Sequence, residues 1–274
     1  MELELLQYAF MRRALLAALL IGLTAPSVGV YLVQRRLALI GDGLGHVALT
    51  GVSVGLVTST TPVLTALAAA VVGAVAVELI RVRGRTSGDV ALAVLFYGGI
   101  AGGVVIVSRA PSGTTVNLDS YLFGAITTTT AGDLQVFAVL SLAVLLVTLG
   151  LGRYLFAVSN DEEFALASGL PVLRLNLLLA VVTSVTVVVS MRVVGLLLIS
   201  ALMVIPIATA QLVTRSFRAT VVAATGMGTV AAVSGVGVSY YADTPSGGTI
   251  VLIAIAGFLL VSLATAARNR LGHS

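Results

Sequence analysis

Cysteine is absent from all 274 residues, which excludes disulfides, thiolate metal sites and thiol catalysis. Lysine is absent as well, so all 15 basic residues are arginines. A phosphate-binding loop needs its lysine, and Schiff-base chemistry needs a primary amine. Neither belongs to this chain. Charge of either sign is scarce, at 9% of residues. The net charge of +4 is spread over isolated arginines and arginine pairs. No basic stretch is dense enough for a nucleic-acid surface, and no nucleic-acid partner is expected.

What fills the chain is apolar. Hydrophobic residues make up 58% of it, and its mean hydropathy is +1.13. A soluble protein of this length could not hide so much apolar surface, so the composition implies a polytopic membrane protein. The fold class expected is all-α, a bundle of eight or nine transmembrane helices forming a single domain over residues 1–274. Apolar runs fall near 14–33, 37–58, 62–80, 90–108, 133–155, 174–191, 193–213, 219–240 and 248–267. The pairs 14–33/37–58 and 174–191/193–213 leave almost no loop, so one member of each is expected to be short or broken. The first run meets arginines without a small-residue cleavage site and reads as a retained span.

Arginine placement sets the orientation. With the C-terminus cytoplasmic, Arg35, Arg36, Arg81, Arg83, Arg85, Arg153, Arg174, Arg215, Arg218, Arg268 and Arg270 lie inside. Only Arg12, Arg13, Arg109 and Arg192 then lie outside. Segment 109–132 becomes the longest outer stretch, and its Ser120–Ile126 core is too short to cross. A re-entrant or interfacial helix is expected there. Glycines at spacing four (Gly41/Gly45, Gly51/Gly55, Gly98/Gly102, Gly99/Gly103) let helices approach closely in lipid.

Asp42 and His46 carry the chemistry. They stand four apart in the otherwise uncharged run 37–58, on one helix face. An aspartate in such a span costs about 2.5–3.5 kcal/mol on insertion scales. A carboxylate and an imidazole suit zinc, manganese or ferrous iron, with no sulfur to select among them. One chain offers two ligands, and a two-fold dimer would offer four. The competing reading is a pair that neutralises itself inside the bundle.

Three further features stand out. Residues 160–171 form an acidic cytoplasmic segment, with Asn160 or Asp161 as cap and Gly169 and Pro171 as stop. Such a helix lies on the membrane surface and suits a partner's groove; an ordinary loop helix is the equal alternative. Pro206 interrupts the run 193–213, where it removes a backbone hydrogen bond and bends the helix. Glu78 and Asp89 sit at span ends, either simply solvated or forming an acidic exit vestibule. His273 belongs to the tail.

Taken together, these residues resemble the permease subunit of bacterial zinc/manganese/iron ABC importers. The resemblance runs in order along nearly the whole chain. Asp42 and His46 followed by Gly51 resemble that family's aspartate–histidine signature, and Asp89 follows the basic loop. Asp119 to Gly124 resembles its outer-face motif. Asp161, Glu162, Glu163, Ala165 and Gly169 resemble its ATPase-coupling segment, and Val194 and Gly195 through Pro206 and Ala210 the following helix. Gly43 and Gly45 depart from the small Ala and Ser usual in the family, and Thr50 stands where proline is common.

The resemblance implies a type II importer-like permease in the bacterial plasma membrane, surrounded by lipid and paired as a homodimer. It implies two copies of a separate ABC ATPase that bind the ATP, and an extracytoplasmic metal-binding protein that delivers the ion. The cargo expected is Zn²⁺ first, then Mn²⁺ or Fe²⁺, moved by alternating access with no bond chemistry and no resident cofactor. The alternative is a proton-coupled secondary transporter, which would show inverted repeats; no convincing internal symmetry is visible. A membrane metalloprotease would need a further catalytic cluster, and there is no His-Glu-x-x-His.

Overall fold

The computed structural model describes residues 7–82, 88–109, 118–125, 129–191, 193–196 and 198–271, all helix or short connection. The helices in order are α1 Ala9–Gln34, α2 Ile40–Val57, α3 Pro62–Val82, α4 Gly88–Val107, α5 Leu118–Phe123 and α6 Ala131–Gly150. They continue as α7 Gly152–Asn160, α8 Glu162–Ala167, α9 Val172–Ser190, α10 Ile199–Val213, α11 Phe217–Ala242 and α12 Ser246–Leu271. Eight of them are long and apolar enough to cross a bilayer. The remaining apolar run, 193–213, is cut short. Its helix α10 has 15 residues, about 22 Å of rise against a hydrocarbon core of about 30 Å.

Burial sorts the spans into inner and outer. Within their most apolar stretches, 72% of residues are buried in α1, 67% in α9 and 61% in α2, against 17% in α4 and in α12. The inner helices thus form the core, with Ile21, Leu44, Val188 and Ile207 fully enclosed. Val104, Leu146 and Leu260 on α4, α6 and α12 are exposed, as side chains facing lipid should be.

Helix α2 lies between α3 and α4. The approach to α4 depends on Gly99: a Cβ there would sit 2.6 Å from the backbone nitrogen of Val47. The Thr50 hydroxyl then donates to the Gly99 carbonyl at 2.7 Å, tying α2 to α4. Run 133–155 resolves into two helices, α6 and the short α7.

Between the end of α9 at Ser190 and the start of α10 at Ile199, the described residues 191, 193–196 and 198 are not helical. Non-helical backbone at this depth is tolerated only where protein satisfies it. Here the Leu196 amide donates to the Tyr121 carbonyl at 2.8 Å, and the Ser246 hydroxyl donates to the Val193 carbonyl at 2.6 Å. Gly195 turns the chain at φ +87, a left-handed conformation that glycine adopts without penalty. Helix α5, the short helix expected in the outer segment, therefore packs against this crossover rather than standing alone.

Candidate functional site

Asp42 stands in the first turn of α2 and His46 one turn on, both half-buried. Asp42 opens into a cavity of about 480 Å³ whose other walls are Leu39, Leu92, Ala93, Phe96 and Tyr97. Phe96 meets the His46 imidazole edge-on, with ring centroids 4.2 Å apart. The ring is thereby held on the α4 side of α2, the side on which the Asp42 carboxylate meets the cavity.

Ser200 completes the picture. Its hydroxyl donates to Asp42 Oδ1, from the first turn of α10 immediately after the broken crossover. The α9–α10 break is what brings that turn against α2. Gly45, between the two candidate ligands, admits the same crossover: a Cβ there would stand 2.7 Å from the Leu196 carbonyl oxygen. Gly43 is less constrained, since its Cβ would meet the flexible end of Leu92. The glycines flanking Leu44 thus make room for a neighbouring carbonyl and a cavity wall.

Among the described residues no group of three or more His, Asp or Glu side chains converges on one point. Among the described residues Asp42 and His46 therefore stand without a third acidic or imidazole side chain beside them.

A second cluster sits at the end of α1, α3 and the start of α9. Arg81 donates to both Glu78 oxygens, at 3.0 and 2.7 Å, and to both Glu162 oxygens, at 3.1 and 3.0 Å. Arg35 reaches Glu162 at 3.4 Å and Glu78 at 4.0 Å. The Asn176 amide adds a bond to Glu162 Oε1 at 3.1 Å. Burial works against charge on the Glu162 carboxyl, but the Arg81 hydrogen bonds and charge, then Arg35 and Asn176, outweigh it and hold its pKa below the ordinary glutamate value. Glu78, read from sequence as a solvated or vestibule acid, is instead only 3% exposed and committed to Arg81.

Helix α8 is the short capped helix expected within 160–171. Asp161 is its cap, accepting from the Phe164 amide at 2.9 Å, and Gly169 turns the chain beyond it at φ +80. Asn160 instead accepts from the Gln34 amide at 3.0 Å. Glu162 points into the arginine cluster, Ala165 is fully buried, and Glu163 remains exposed. Phe164 and Leu166 are 69% and 66% exposed, an apolar pair on a surface helix. Asp89 is the second residue of α4, but its side chain, like that of Asp119 and all of His273, lies outside the described residues. Pro206 is buried in α10. Ser200, Phe96, Arg35, Arg81 and Asn176 are the site residues that spacing alone did not reveal.

The profile of the ABC 3 transport family matches residues 7–265. The chain belongs to that family. Among its relatives, this ABC 3 permease is 32% identical over 257 residues to the manganese transport system membrane protein MntC of Halalkalibacterium halodurans, covering 94% of this chain and 88% of that one. It is 29% identical to the manganese import system permease protein ScaB of Streptococcus parasanguinis, covering 96% and 93%. Among solved structures it resembles a chain of PsaBC from Streptococcus pneumoniae in complex with Fab, with a TM-score of 0.84, 28% identity and 95% of each chain covered. This ABC 3 chain is accordingly a multi-pass membrane permease and not itself an enzyme.

Proposed function

We propose that this permease carries a divalent transition-metal ion across the plasma membrane within an ATP-driven importer, with Asp42 and His46 as its ligands on the path. The observation that carries this reading is the placement of both residues on one face of α2, with Asp42 opening into the α2–α4 cavity and Ser200 holding its carboxylate. Two ligands per chain hold an ion loosely, as a transport path requires. A second copy facing the first across α2 and α4 raises the number to four, within reach of a complete coordination shell. The outward-facing Tyr97 and Val94 on α4 leave an apolar surface for such a copy.

Sequence alone put zinc first. The manganese names of the relatives favour Mn²⁺ as the cargo; the oxygen and nitrogen donors accommodate it without excluding Zn²⁺ and Fe²⁺ as competitors. The partners are a separate ABC ATPase, an extracytoplasmic metal-binding protein and a second copy of this chain, with the C-terminus in the cytoplasm. Helix α8 is the ATPase-coupling element: Glu163, Phe164 and Leu166 offer the exposed face, while Asp161, Ala165 and Gly169 fix its shape. Glu162 passes its movement through Arg81 to α3, which packs on α2.

The test is uptake by vesicles holding the purified permease with its ATPase, across manganese, zinc and iron. ATP-dependent accumulation of manganese supports the reading. Equal uptake by the permease alone under an ion gradient overturns it in favour of a secondary transporter.

A further inference from the structure

The seam between α10 and α12 holds two adjoining hollows. One, of about 390 Å³, lies between the connection that follows α10 and the last turns of α12, walled by Leu212, Thr214, Arg215, Thr265 and Arg268. The other, of about 340 Å³, is almost wholly apolar and runs between α10, α11 and α12 past Pro206, Val230 and Gly257. Val261 walls both, so a basic mouth adjoins an apolar track.

The mouth has an unusual charge balance. No acidic residue lines it. The ion pairs among the described residues all lie in the Arg35–Arg81 cluster, so Arg215 and Arg268 keep two positive charges without a carboxylate. Both sit at the membrane boundary, since α10 ends at Val213 and the apolar part of α12 runs to Arg268. Leu212 and Val213 beside them are 38% and 54% exposed, so the opening lies on the outer surface of the bundle beside apolar side chains.

We propose that this seam binds one anionic phospholipid, its phosphate between Arg215 and Arg268 and an acyl chain along the apolar track. Guanidinium groups match phosphate oxygens in pairs, and basic pockets between helices at the membrane surface select acidic headgroups. A zwitterionic headgroup would bring an ammonium group into a pocket that already carries two positive charges. Free phosphate would leave the apolar hollow unfilled. The bound chain lies against Pro206 and so braces α10, the helix that presents Ser200. The proposal concerns the lipid alone and does not depend on which ion is carried.

Native mass spectrometry of the detergent-purified full-length permease, titrated with phosphatidylglycerol or phosphatidylcholine, tests this, with melting temperature followed in parallel. Wild type retains phosphatidylglycerol and melts higher with it. The Arg215→Gln/Arg268→Gln double variant loses that retention by about tenfold, with phosphatidylcholine binding unchanged. Gly257→Leu loses it with both arginines intact; a Cβ at Gly257 has nothing within 4 Å, so this variant fills the track without disturbing the helices. Equal retention of the two lipids by wild type would overturn the proposal, as would full phosphatidylglycerol retention by either variant. So would inorganic phosphate alone reproducing the melting shift, or displacement of the lipid by the ATPase subunit, which would assign the arginines to an acidic segment of that partner.

Discussion

Arg81 and Glu162 meet as two planar groups, with Nη1 to Oε2 at 3.1 Å and Nη2 to Oε1 at 3.0 Å. One residue ends a membrane span and the other belongs to a surface helix, so the pair is the shortest mechanical link between them. The same guanidinium holds Glu78, whose side chain is only 4% exposed. The two carboxylates therefore differ in what they lose without it. Arg81→Ala strands a buried charge and is expected to cost about 3 kcal/mol. Glu162→Ala breaks a pair whose acid is 37% exposed, and is expected to cost about 1 kcal/mol. A double-mutant cycle on thermal unfolding checks the ranking; equal costs would mean that Glu78 finds another partner.

The same pair sets a pH dependence. The Glu162 carboxyl titrates below the ordinary glutamate value in the folded protein, so its ionised form stabilises the fold. That stabilisation is complete above the ordinary value and is lost as pH falls through the lower folded one. Wild type should thus melt above Glu162→Gln at neutral pH, and the gap should close only below about pH 4. Melting curves of both proteins from neutral to acidic pH measure it. A gap that closed near pH 6 would place the controlling group elsewhere.

Ser200 makes a separate prediction. A donor that fixes a metal-binding carboxylate typically matters by about 10–100-fold in affinity. Ser200→Ala should weaken Mn²⁺ binding by about tenfold without unfolding the protein, and Ser200→Thr should restore it because the hydroxyl returns. Isothermal titration with Mn²⁺ on the purified permease reads both. Normal affinity in Ser200→Ala would reduce the hydroxyl to a packing contact.

Gly45 tests the crossover. A valine there would drive its Cβ against the Leu196 carbonyl, 2.7 Å away, and is expected to cost about 1–3 kcal/mol. Gly98→Ala, where a Cβ meets nothing within 4 Å, should leave melting unchanged or raise it slightly, since alanine is the better helix former. Similar melting temperatures for the two variants would contradict the close contact between α2 and the crossover.

Much of this arrangement is legible in the sequence because lipid enforces simple rules. Each of the nine apolar runs holds a helix, and of the two pairs with almost no loop 174–191/193–213 is broken as expected, whereas α1 and α2 in the other pair run unbroken for 26 and 18 residues. The Asp42/His46 face followed from helical spacing, and the capped helix at 160–171 from Asp161 and Gly169. What stayed hidden depends on contacts far apart along the chain. Ser200 stands 158 residues from Asp42, and serine in an apolar run carries no distinctive spacing. Glu78 looked like an ordinary span-end acid because its partners are Arg81 on its own helix end and Arg35 at the far end of α1. The need for glycine at position 45 was hidden too, since it depends on the Leu196 carbonyl 151 residues away in the chain.

The central claim is that Asp42 and His46 hold the ion in transit, and the most direct measurement is ATP-driven ⁵⁴Mn²⁺ uptake into vesicles carrying the assembled transporter. Asp42→Ala and His46→Ala should each abolish uptake, with the complex still assembled and its ATPase still active. Wild-type uptake in either variant would contradict the account.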